Sequence, residues 1–301
     1  MIDLSKMVTE TRNSQTMRLD EMTPLELITV MNEEDGKVTE AVRNVLPAIA
    51  RIIGWCTECL EGEGRLIYMG AGTSGRLGVL DAVECVPTFG VESGKIIGLI
   101  AGGEKAFVKA VEGAEDSEEL GESDLRQIML KPEDVMIGIA ASGRTPYVTG
   151  GLKYAKKTGC KTAAIVCNKN AKVAEEADEA IELIVGPEVL TGSTRLKAGT
   201  AQKMVCNMIS TASMAGIGKT YQNLMVDVLQ TNEKLVKRAE NIVMEAAGCG
   251  RETAKEALEK ADGNAKTAIV MILSSCEAEE AREKLRKAKG HVRYALQPNT
   301  L

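Results

Sequence analysis

Five short apolar runs constrain this chain more than anything else in it. "RLIYMG" (65–70), "KIIGLIAG" (95–102), "DVMIGIAAS" (134–142), "TAAIVCN" (162–168) and "AIELIVG" (180–186) are each followed by a turn rich in glycine, serine or threonine, then by an amphipathic stretch. Strands covered by helices on both faces lose the alternation of half-buried strands and become continuously apolar. Runs of this kind alternating with helices predict an α/β fold, a doubly wound, mainly parallel five-stranded sheet flanked by helices. Ligands in such sheets gather at the carboxyl ends of the strands, where these turns lie.

Helices are expected on both sides of the sheet region. Thr23-Pro24-Leu25-Glu26 has the form of a helix start, with Thr as cap, Pro in the first turn and Glu three residues on. One helix is predicted through "LELITVMNEED" (25–35) and a second over 37–62, kinked at Pro47. In the second, Val38, Val42, Val45, Ile49, Ile52 and Ile53 recur at helical spacing. A long helix is predicted from about Leu196 to Ala215. Beyond Gln230 the strand signal disappears, and four segments (231–250, 251–263, 264–275 and 276–290) read as short helices between glycine turns. The expected division is therefore 1–229 for the sheet domain with its N-terminal helices and 230–301 for a small all-α, ubiquitin-associated-like bundle.

Gly70, Gly72 and Gly75 spell G-x-G-x-x-G after the first run, the spacing of a dinucleotide fingerprint. That reading also needs an acidic residue at the end of the next strand to hold the ribose hydroxyls. Here the next run ends in Gly102-Gly103, with Glu92 before the strand and Glu104 past it. The carboxylate is out of place, and a nicotinamide or flavin cofactor is not expected. What remains is a glycine turn carrying Thr73 and Ser74 at a helix start, where backbone N–H groups, hydroxyls and the helix dipole suit a phosphate monoester. The competing reading is that both hydroxyls merely cap the helix.

The turn is not alone. After the third run stand Ser142, Gly143, Arg144 and Thr145; after the fifth stand Thr191, Ser193, Thr194, Arg195 and Lys197. Three hydroxyl-rich turns at strand ends together point to a sugar phosphate or similar polyol phosphate. "SMAGIGKT" (213–220) ends like a nucleotide-binding P-loop, but Ser213 stands where its first glycine belongs, and a helix precedes it instead of a strand.

Composition closes several other routes. The formal net charge is −6 with no long Lys/Arg run, which argues against nucleic acid. No uncharged apolar run approaches the ~18 residues of a membrane span, and the polar N-terminus lacks a signal-peptide core. A cytoplasmic protein without membrane attachment is expected. Of eight cysteines, Cys56 and Cys59 form a C-x-x-C late in a helix, with His291 the only histidine; helical thiols on one face are expected, not a metal site.

The three turns quoted together resemble the sugar isomerase (SIS) family of phosphosugar-binding domains. The likeness narrows. "MGAGTSGRLGVLDAVECVPTFG" (69–90), "AVEGAEDS" (110–117), "ASGRTPYV" (141–148), "GPEVLTGSTRLKAGTAQK" (186–203) and "NLMVDV" (223–228), with "TETRN" (9–13), resemble the N-acetylmuramic acid 6-phosphate etherases of bacterial cell-wall recycling. The resemblance runs from about Leu4 to Leu296, and the glucokinase regulatory proteins share its fold and loop chemistry. It implies cleavage of the lactyl ether at carbon 3 to give N-acetylglucosamine 6-phosphate and D-lactate, in a homodimer with the site at or near the subunit interface. It places the catalytic carboxylates at Glu84 and Glu115, with Glu84 as acid and Glu115 as carbon-2 base; the residues alone do not assign the roles. It places the substrate on Gly72, Thr73, Ser74, Ser142, Gly143, Arg144, Thr145, Ser193, Thr194 and Lys197, with Arg195 and Lys197 as candidates for the lactyl carboxylate.

Such chemistry suits two carboxyl groups and needs neither metal nor redox cofactor. Ring opening exposes an aldehyde that acidifies the carbon-2 proton; a base removes it, lactate leaves carbon 3 as an acid protonates its oxygen, and water adds back. The acid must hold its proton near neutral pH, and the apolar neighbours Val83, Val86 and Phe89 would favour that form of Glu84 by desolvation. One tension accompanies this assignment. On a continuous helix Glu84 lies about 15 Å beyond Ser74, more than a hexose phosphate spans. Either the helix breaks early, the phosphate sits on Ser142–Thr145, or Glu84 reaches the site from a second subunit. Two other functions compete: a sugar-phosphate-sensing regulatory protein without turnover, and an aldose–ketose phosphosugar isomerase. A sensor of the regulatory type would carry a second phosphosugar domain, and no DNA-reading helix-turn-helix precedes the sheet.

Overall fold

The computed structural model describes residues 7–109, 111–229 and 233–297. The chain forms two compact units, Met1–Val83 with Gly94–Ser210 and Glu84–Ser93 with Thr211–Leu301. The division differs from the expected one at 229/230, and residues 230–232 lie outside the described residues. Its physical reason is burial: Val226 and Val228 belong to the apolar core of the C-terminal helices, and Gly90 abuts the backbone of Asp227.

In the first unit, α1 (Pro24–Arg43) begins with the expected capping box, Thr23 accepting from the Glu26 N–H while the Glu26 carboxylate accepts from the Thr23 N–H. The predicted break near Gly36 is absent, since a lone glycine weakens a helix without ending it. The chain turns instead at Asn44–Val45. Pro47 then sits in the first turn of α2 (Leu46–Glu61), where its missing N–H costs nothing, and kinks no helix. Cys56 and Cys59 are buried on α2 and not disulfide-bonded; burial pushes the Cys59 thiol up to about 11. Trp55, on the same helix, lies under the Lys161 ammonium, 5.5 Å from the ring centroid.

The five expected strands are β1 (Leu66–Gly70), β2 (Ile96–Ile100), β3 (Val135–Ala140), β4 (Lys161–Val166) and β5 (Glu179–Glu182). All pairs are parallel, in the order β2-β1-β3-β4-β5. Between them run α3 (Gly72–Phe89), α4 (Lys105–Val108), α5 (Glu118–Gln127), α6 (Pro146–Thr158) and α7 (Lys172–Glu175), and α8 (Lys197–Gly216) follows β5. Every residue of β1 and β3 is buried, which is why their sequences show no alternation.

The second unit contains a short antiparallel hairpin, β6 (Thr220–Tyr221) and β7 (Leu224–Met225). The four expected helices follow as α9 (Glu233–Ala247), α10 (Arg251–Lys260), α11 (Ala265–Ser274) and α12 (Ala278–Lys287), and α13 (Val292–Leu296) was not anticipated. Residues 265–271 of α11 are all buried, so it is the central helix of an alanine-rich core. Among the described residues no helix is long and apolar enough to cross a membrane.

Candidate active site

The strand order reverses direction between β1 and β3, and the carboxyl ends of the strands at such a switch point are where open parallel sheets bind ligands. The glycine fingerprint lies on one side of it. A Cβ on Gly75 would stand 2.6 Å from the Gly70 carbonyl oxygen, and Gly72 has a φ of +52°. These glycines therefore let a helix start directly against the end of β1, and a dinucleotide is not needed to explain them. Helix α3 begins at Gly72 behind Ala71, so neither Thr73 nor Ser74 occupies the cap position. Its first-turn N–H groups have no partner within the helix. Ser74 is buried, and its hydroxyl donates to the buried Gln202 Oε1 at 2.9 Å. Gly199, on the same helix as Gln202, leaves room for the Thr73 methyl, which would lie 3.4 Å from a Cβ there.

The loop after β3 is built differently. Ser142 Oγ accepts the Arg144 N–H at 3.3 Å. Gly143 has a φ of +69°, and a Cβ on it would fall 2.3 Å from that of Ala171. Thr145 stands at the cap of α6 without using its hydroxyl as the cap. Asn168, at the end of β4, braces the turn by donating to the carbonyls of Ala141 and Ser142, and it joins Thr9 of the "TETRN" segment at 3.0 Å.

In the third turn Ser193 and Thr194 are half-buried and Arg195 is exposed. Lys197 departs from the expectation of a cation facing substrate. It is 1% exposed, and its ammonium is committed to the buried Glu34 of α1. Although burial opposes it, hydrogen bonds from Lys197, Lys37 and Asn13 hold the Glu34 carboxyl below its usual range. Glu188 accepts the backbone N–H groups of Lys197 and Ala198 at 3.0 and 2.9 Å, closing the start of α8, and burial raises its carboxyl. Gln202, Asn168, Glu34 and Glu188 were not singled out from sequence. A buried polar side chain has no signature there, though Glu188 and Gln202 do lie inside the quoted "GPEVLTGSTRLKAGTAQK" motif.

Glu115 follows Gly113, which has a φ of +75°, in a single tight turn and is exposed. It shares a cavity of about 200 Å³ with Ala71, Gly72, Arg76 and Glu112. The Arg76 guanidinium is tied to the carbonyls of Ala106 and Phe107, both at 2.8 Å. One expected carboxylate and the first helix-forming residue of the glycine loop thus meet at the end of β1. Glu84 is exposed, and Val83 beside it is 61% exposed, so this chain alone does not supply the desolvation expected of it. Helix α3 is continuous from Gly72 to Phe89, with Pro87 inside it, which removes the early break from the three expected resolutions.

Two family models match the chain: the glucokinase regulatory protein N-terminal SIS domain over residues 48–156 and the SIS domain over residues 114–212. An N-acetylmuramic acid 6-phosphate etherase of Pectobacterium atrosepticum is 59% identical over 269 residues, 89% of each chain. One of Bacillus mycoides is 60% identical over 267 residues, 89% of this chain and 91% of its own. The chain belongs to the N-acetylmuramic acid 6-phosphate etherase family. Among solved structures, a phosphoheptose isomerase from Francisella tularensis overlays this etherase-family chain with a TM-score of 0.47 at 18% identity, covering 63% of this chain and 100% of that one.

Proposed function

We propose that the chain is a carbon–oxygen lyase that cleaves the lactyl ether of N-acetylmuramic acid 6-phosphate, giving N-acetylglucosamine 6-phosphate and D-lactate in cytoplasmic cell-wall amino-sugar recycling. Near-60% identity over nine-tenths of the etherases carries this reading. The open-chain sugar presents an acidic carbon-2 proton to Glu115; lactate leaves carbon 3 with a proton from Glu84, and water then adds to the unsaturated aldehyde. Gly72, Thr73 and Ser74 offer a helix start to the substrate; Ser142, Gly143, Arg144 and Thr145 offer hydroxyls and a guanidinium; Ser193 and Thr194 border the third turn. In our reading Lys197 supports this turn through Glu34 and does not touch substrate. The chain comprises a sheet domain and a C-terminal helical domain, and two copies form a homodimer. Glu84 lies too far along α3 to share one hexose with the start of the same helix, which favours a site completed by the second copy.

The test is incubation with the substrate in heavy water, following lactate release and deuterium entry at carbon 2. Glu115→Gln should lose lactate release by about 10³-fold, within the range of general acid–base catalysis, and lose exchange with it. Glu84→Gln should retain exchange while losing lactate. Tight substrate binding by the unaltered chain without lactate release would leave a sensor.

A further inference from the structure

The acid must be held in place by something, and the second unit contains the device. Glu84 stands on the last turns of α3, in the stretch Glu84–Ser93 that packs with the C-terminal helices. Directly after the helix, Gly90 has a φ of +58°, and a Cβ on it would lie 2.2 Å from the backbone oxygen of Asp227. The approach is backbone to backbone, so the exit of α3 rests on the Asp227 carbonyl with no side chain to cushion it.

Asp227 is itself fixed by charge. Its Oδ2 accepts from the Lys266 ammonium at 2.7 Å and stands 3.3 Å from that of Lys219. The Lys266 side chain is 9% exposed and lies in the first turn of α11, where a helix dipole disfavours a cation. Burial lowers its pKa while Asp227 opposes the shift. A buried ammonium in an unfavourable field is tolerated only with its partner in place, so the position of Lys266 dictates that of Asp227. Packing alone does not. Gly90, Lys219, Asp227 and Asn264 line a cavity of about 510 Å³, which leaves open space beside the joint.

We propose that Asp227, clamped by Lys266 and Lys219, is a positioning residue that sets the exit of α3 and, through it, Glu84. The inference rests on the reading of Glu84 as the acid. Its chemical consequence is specific. A displaced acid slows departure of lactate but leaves Glu115 free to break the carbon-2 C–H bond. The carbanion equivalent then takes a deuteron back from the base, and unreacted substrate accumulates deuterium. The ratio of carbon-2 exchange to lactate release therefore rises, whereas a merely structural defect lowers both rates together and leaves the ratio alone.

The experiment uses the full chain and N-acetylmuramic acid 6-phosphate in heavy water, with a thermal unfolding curve for every variant. Gly90→Ala and Asp227→Asn should each raise the exchange-to-lactate ratio at least tenfold. Lys219→Met, which leaves Lys266 in place, should raise it about two- to threefold, because one of two clamps remains. A folded Gly90→Ala or Asp227→Asn protein with an unchanged ratio overturns the proposal. If neither folds, an unchanged ratio in Lys219→Met does so. Glu84→Gln separates the two levels: exchange without lactate upholds the acid, and wild-type lactate release from that variant removes the acid reading and the inference with it.

Discussion

The loops that close β1 and β3 are alike in sequence and unlike in what occupies their side chains. Each places glycine and hydroxyl residues between a buried strand and a helix. In the first, Ser74 is buried and its proton goes to Gln202, so the loop presents backbone N–H groups while its hydroxyl serves the α3–α8 contact. In the second, Ser142 Oγ accepts a local N–H, and Thr145 leaves its hydroxyl out of the cap. Similar motifs thus differ in what they present: main-chain N–H groups in the first turn, side-chain hydroxyls in the second. A hydroxyl in such a turn is informative only once its partner is known.

That division can be broken by substitution. Lys197→Met tests the most deeply committed side chain of the three turns. It removes the buried partner of Glu34 and leaves only the half-exposed Lys37 to pair with it, so stability to urea should fall by about 3 kcal/mol, the low end of the cost of breaking a buried pair. Because the Glu34 carboxyl is held below 4.5 in the folded chain, its ion pair contributes above that value and fades as pH falls through the folded pKa. The wild-type advantage should shrink below pH 4.5; an undiminished gap in acid would mean that packing, not charge, is lost. Gly75→Ala comes next. A methyl would stand 2.6 Å from the Gly70 oxygen and 2.8 Å from Ile100 Cγ1, where the backbone cannot give way, and about 1–3 kcal/mol of stability should go. A stable Gly75→Ala protein would show that the close contact of helix and strand is dispensable.

Smaller effects separate the two hydroxyls. Thr145→Val should raise the KM for the phosphosugar about tenfold, equivalent to ~1.4 kcal/mol, with an unchanged melting temperature. Ser74→Ala should do the reverse, losing about 1 kcal/mol of stability through its bond to Gln202 and moving KM less than threefold. If the two variants exchange behaviours, the division between main-chain and side-chain recognition is drawn the wrong way round.

The sheet was legible because burial on both faces writes itself into composition: "LIYMG" and "VMIGIA" have no polar positions to confuse the reading. The capping box at Thr23 was equally plain, since its partners are three residues apart. The Gly36 break and the Pro47 kink failed for one reason. Both residues weaken helices locally, and only packing decides whether a glycine is tolerated or a proline is moved to a first turn. In the site, the glycine and hydroxyl turns were visible as spacing. The commitments of Ser74 to Gln202 and Lys197 to Glu34 join residues more than a hundred positions apart, and no short-range pattern encodes them. The affiliation of 84–93 with the C-terminal helices was hidden likewise, because it hangs on the contact between Gly90 and Asp227.

The lone tryptophan gives this two-unit chain an uneven optical voice. Trp55 belongs to the sheet unit, where its indole lies beneath the Lys161 ammonium, while the helical unit holds Phe89, Tyr221 and Tyr294 and no tryptophan. A melt followed by indole emission therefore listens to the sheet unit alone, whereas far-ultraviolet dichroism hears every helix in both. Superimposed curves would mean the units unfold as one cooperative body. Separated curves would date the loss of each without a label, a cut or a substituted residue.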